Sequence, residues 1–94
     1  MSDENILEEA MKIVGGDRIT EYGHPTKNFA DIALLFNALL VDKLKAPITP
    51  RDCVLLMILL KISRLKHKTT RDSWIDIAGY AAVGAIVEGI DELK

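Results

Sequence analysis

Ninety-four residues, 49% of them apolar and 28% charged, with 12 bases against 14 acids for a net charge of −2, describe one globular domain spanning residues 1–94. The near balance of charge excludes a strongly basic nucleic-acid module and an acidic disordered tail, and a single cysteine, Cys53, excludes an internal disulfide framework. A chain of this length buries only ~65% of its unfolded surface, and with two Phe, two Tyr and one Trp its core has to be aliphatic.

The chain opens Met1-Ser2-Asp3-Glu4, acidic and without the apolar run of a secretory signal. Its longest apolar stretch, Cys53 to Leu60, is eight residues, against about 18 for a membrane span. A cytoplasmic protein is expected, with neither membrane nor nucleic acid as a partner.

The first predicted helix starts after Ser2 as N-cap, carries Asp3 and Glu4 in its first turn, and ends at Gly15-Gly16. Ile6, Leu7, Ala10, Met11 and Val14 form its apolar stripe. The stretch from Gly15 to His24 reads as a loop. The second helix begins at Pro25, a residue suited to the first helical position, and runs to about Lys45 before Pro47. Thr49-Pro50-Arg51-Asp52 starts the third helix, with Thr49 as cap and Asp52 closing a capping box, and it continues to about Lys68. Thr70 caps the fourth, which runs toward Leu93.

The third and fourth helices are apolar nearly all round, and a helix with no wet face has to be covered on every side. Two flanking helices in so short a chain do not supply that cover. The expected architecture is an all-α antiparallel four-helix bundle assembled into an obligate homo-oligomer, with Ala78, Gly79, Ala82, Gly84 and Gly89 allowing close helix approach.

Short connections place successive helices antiparallel, which brings the start of the second helix, the end of the third and the start of the fourth to one end. There the sequence gathers its candidate ligand-binding residues. His24 at a helix cap, with Arg18 and Lys27 nearby, suits an anion. Lys61 and Arg64 follow the apolar run one helical turn apart, within a stretch from Lys61 to Arg71 that holds five bases and no acid. They reach either a ligand phosphate or Asp72 and Asp76, which stand four apart on the fourth helix. Tyr22 and Trp74 are candidate stacking platforms or packing residues, while Asn28 and Asp76 can read a base edge. His67 is assigned no role, and Cys53 is expected to be a buried, inert thiol.

The joint pattern Gly16-Asp17-Arg18-x3-Tyr22-Gly23-His24-Pro25-x2-Asn28-Phe29, Lys61-Ile62-Ser63-Arg64-Leu65 and Trp74-x-Asp76-x-Ala78-Gly79-Tyr80-Ala81 resembles a family of small, mostly phage and prophage proteins of uncharacterised function. That resemblance implies that the motifs belong to one site. A weaker similarity is to the nucleotide-modification-associated and MazG-like all-α nucleotide pyrophosphohydrolases, helical oligomers that hold Mg²⁺ against a triphosphate. It implies Mg²⁺ on Asp31, Asp72 and Asp76. The sequence departs from that class in lacking its paired Glu-x2-Glu and Glu-x2-Asp carboxylates. Three readings therefore stand: an oligomer that binds a nucleotide or other phosphorylated small molecule without a cofactor, a Mg²⁺-dependent hydrolase, and a structural adaptor without a ligand.

Overall fold

A computed structural model describes residues 4–93, which form five helices: α1 (Ile6–Gly15), α2 (Asp17–Tyr22), α3 (Pro25–Leu40), α4 (Pro50–His67) and α5 (Arg71–Val87). The all-α class is as expected, with one helix more than the sequence suggested. The Ser2 cap lies outside the described residues. Asn5 caps α1 instead, its side chain accepting from the Glu8 amide at 2.9 Å.

Three helix starts form as their sequences dictate. His24 caps α3 ahead of Pro25, with Nδ1 accepting from the Thr26 amide at 3.2 Å. Thr49 and Asp52 close a full capping box on α4. The Thr70 hydroxyl accepts from the Ser73 amide at 3.2 Å on α5.

The differences lie between and after these starts. The segment read as a loop contains α2, one and a half turns too short to show a period, ended by Gly23 at φ +78°. α3 stops at Leu40, not near Lys45, because the chain turns there, with the Lys43 amide donating to Leu40 O at 2.8 Å. Asn37 then clamps the returning strand of loop: its Nδ2 donates to Ile48 O at 2.9 Å and its Oδ1 accepts from the Ile48 amide at 2.7 Å. α5 ends at Val87 and not near Leu93. Gly89, at φ +76°, donates to Ile86 O at 3.0 Å, and Ile90 donates to Ala85 O at 2.8 Å, the paired bonds of a Schellman stop.

α5 is the central helix, packed against α4, α1 and α3. Phe29, Ala33, Cys53, Val54, Val83 and Ile86, with Val14 from α1, make the buried cluster. Near-complete burial raises the Cys53 thiol pKa, so the expectation of an inert thiol holds. Three helices of the same chain flank α5, burying Ile75, Val83 and Ile86 but leaving Trp74 and Ala81 exposed. α4 is less covered: Leu55, Leu56, Leu59, Leu60 and Ile62 remain exposed.

Two predictions follow from the loop and cap. Asn37→Ala leaves both backbone polar groups of Ile48 without their partner and lowers stability by about 1–3 kcal/mol, read as a reduced urea midpoint at unchanged slope. The Asp52 carboxyl is held below its ordinary pKa by the hydrogen bonds from Thr49, the backbone amide first. A carboxyl lowered by folding contributes stability at pH above its unfolded value and loses it as pH falls through the folded one. Asp52→Asn therefore lowers the melting temperature above the carboxylate range and flattens the acid limb, with the difference from wild type closing as pH falls through the folded value.

Candidate functional site

The site is built from four helices meeting at one end of the molecule. α2 sets Arg18 against three rings: its guanidinium carbon lies 5.1 Å from the centroid of Tyr22, 5.5 Å from Phe29 and 5.4 Å from Tyr80. Phe29 and Tyr80 meet edge to face with centroids 6.5 Å apart. A weakly hydrated, planar cation suits such a cage better than an ammonium would. Arg18 Nη2 donates to Asn28 Oδ1 at 3.2 Å, while Nε is buried without an acceptor among the protein groups. Among the described residues Arg18 forms no ion pair with a carboxylate.

Asp76 stands at the centre of the arrangement. Its Oδ2 pairs with Lys61 Nζ at 2.8 Å, joining α5 to α4. It also lines a cavity of about 60 Å³ together with Arg18, Tyr80, Val14, Ile75 and Gly79, large enough for a water molecule or a single ligand group. On its other side it borders an open groove between the end of α4 and the start of α5, with Arg64, His67, Lys68, Thr70, Asp72 and Ser73. Arg64 is exposed and forms no ion pair among the described residues, so of the two basic residues one turn apart, Lys61 meets a protein carboxylate and Arg64 does not.

The remaining candidates are placed as follows. Tyr22 is exposed but engaged with Arg18, and Trp74 is exposed beside the groove's starting helix without lining the groove. His24 is occupied in capping α3. Lys27 is paired with Asp31 at 2.5 Å along one face of α3, and neither Lys27 nor His24 lines the cavity or the groove. Asp31 does not group with Asp72 and Asp76: among the described residues no three His, Cys, Asp or Glu are close enough together to hold a metal ion.

Tyr80 and Phe29, which face Arg18, and His67, which lines the groove, were not among the candidate ligand-binding residues. Tyr80 had a signal, since it follows Asp76 by four residues and shares its helix face. His67 had none beyond its place at the end of α4. No helix among the described residues is long and apolar enough to cross a membrane.

The Lys61–Asp76 pair makes an asymmetric prediction, because the Lys61 side chain is 11% exposed and that of Asp76 is 41% exposed. Asp76→Ala strands a largely buried ammonium and destabilises by about 1–3 kcal/mol, less than for a fully buried pair. Lys61→Met removes the desolvated charge and leaves a carboxylate that water reaches, so its cost is smaller. Calorimetric melting at equal protein concentration checks that order.

Residues 5–88 match the family described as Domain of unknown function (DUF6378). The chain is 49% identical over 79 residues to the Gene 55 protein of Mycobacterium phage D29, covering 83% of this chain and 50% of that protein. It is 40% identical over 80 residues to the Gene 55 protein of Mycobacterium phage L5, covering 84% and 49%. The chain therefore spans about half the length of these curated relatives. It belongs to the DUF6378 family, a phage protein family of uncharacterised function, as its motifs suggested. No solved structure matches it.

Proposed function

We propose that this DUF6378 chain binds a phosphorylated small molecule, of the nucleotide class, in the groove between the end of α4 and the start of α5. The observation that carries the reading is the position of Asp76, which borders both the groove with Arg64, His67 and Lys68 and the cavity with Arg18. A phosphate in the groove would meet Arg64 and Lys68, with the hydroxyls of Thr70 and Ser73 alongside. Arg64 is suited to this by having no protein carboxylate to give up. Asp76 uses Oδ2 for Lys61 and keeps Oδ1 for an amino group at a base edge, while Trp74, which does not line the groove, has no part in the reading.

His24 and Lys27 have no part in this reading, since a helix cap and Asp31 engage them. Binding without turnover is favoured over Mg²⁺-dependent hydrolysis. Two metal ions on a triphosphate require several facing carboxylates, and Asp31 does not group with Asp72 and Asp76. In a phage protein, tight binding of a nucleotide amounts to sequestration.

Isothermal titration of the protein with mono-, tri- and cyclic nucleotides tests the proposal. At least one of them gives saturable heat, and Arg64→Ala abolishes that heat without lowering the melting temperature. No heat with any of them overturns the reading, and so does binding that survives the loss of Arg64.

A further inference from the structure

We propose that the outer face of the α3–α4 hairpin is the contact surface for a second copy of this chain, two hairpins packing face to face as a four-helix layer. On α3, Leu34, Leu35 and Leu39 are 68%, 70% and 78% exposed, and on α4, Leu55, Leu59 and Ile62 are 43%, 58% and 43% exposed. α3 and α4 pack against each other and against α5. Their buried residues, Phe29 and Ala33 on one and Cys53 and Val54 on the other, lie roughly half a turn around the helix from these leucines. No charge interrupts the surface between Asp31 and Asp42 or between Asp52 and Lys61.

With Leu56 and Leu60 added, these side chains leave on the order of 800 Å² uncovered, more than the roughly 300–600 Å² of the largest patch on a typical monomer. It equals the about 800 Å² that each partner gives to a standard stable interface. The occupant is a copy of the chain because the area is what a stable dimer needs and both helices present the same uncharged, leucine-rich face. Exposed apolar positions run 34, 35, 38 and 39 on α3, with 41 just past its end, and 55, 56, 59, 60 and 62 on α4. A two-fold axis lying along the hairpin sets α3 of one copy antiparallel to α4 of the other, apolar face to apolar face. An apolar groove lined by Ile32, Leu35, Phe36 and Leu39 offers the hole that a knob from the opposite helix needs.

The thinness of the core points the same way. In a chain that is 49% apolar, the buried hydrophobic residues are few and include Ala10, Ala33 and Cys53 among the larger Phe29 and Ile86. The radius of gyration is 14.3 Å, against about 12 Å for a compact domain of this length. A second hairpin layer supplies the missing thickness.

Sedimentation equilibrium over a micromolar range, with melting followed at several concentrations, tests the interface. The chain sediments as a dimer or an even multiple of one, and its melting temperature rises with concentration. The double variant Leu35→Glu, Leu59→Glu raises the dissociation constant about thirtyfold or more. If that variant fails to fold, Leu39→Ser is read in its place, with weakened association and retained helicity expected. A monomer at every concentration overturns the proposal, whether or not that monomer then captures another protein, and so does an assembly indifferent to these substitutions.

Discussion

Gly84 on α5 lies so close to α4 that a Cβ placed there would stand 3.3 Å from Cγ1 of Val54. Much of the structure depends on that approach. Where the two backbones draw together, Val54 and Cys53 meet Val83 and Ile86 in the buried cluster, and dispersion contacts accumulate across a narrow gap that larger residues would wedge open. Gly79, a turn and a half earlier, plays a milder version against α1, where an added Cβ would touch Val14 at an ordinary 3.7 Å. The glycines weaken the helix as a helix and strengthen it as a packing surface, and α5 can serve as the axis for α1, α3 and α4 because it is slim.

The same approach sets the polar end. Once α4 and α5 are held close, Lys61 and Asp76 are in reach of each other, and the Arg18 cage forms where α2 closes over Tyr80 and Phe29. Arg71, in the first turn of α5, adds a tie to α1 by pairing with Glu9 at 2.5 Å and donating to the Glu4 carbonyl at 3.1 Å. The result is an end crowded with charge in which Lys61 and Arg71 meet carboxylates and Arg18 meets rings and an amide. Arg64 meets no carboxylate among the described residues.

Much of this is legible in the sequence. Capping is a local matter, and the His24-Pro25, Thr49-Pro50 and Thr70 starts form as written because the side chain and the amides it serves are two or three residues apart. The meeting of Lys61 with Asp76 was open to reasoning from helix spacing and short connections. What escaped depended on relations that have no local signature. α2 spans six residues between glycines, fewer than two turns. The Asn37 clamp joins residues 11 apart through backbone atoms, which carry no sequence. Gly89 was counted as a packing glycine although its place after the last turn is also that of a helix stop. For α5, the sequence showed that cover was needed, but not that α1, α3 and α4 of one chain would each supply part of it.

Cys53 carries a consequence of its burial. It is 1% exposed, sits in the first turn of α4 and packs into the cluster facing α5, so a thiol reagent meets it only when that part of α4 lifts away. Its labelling rate under native conditions is therefore a clock for local opening. In one atom, the chain carries an internal gauge of how firmly its central seam is closed.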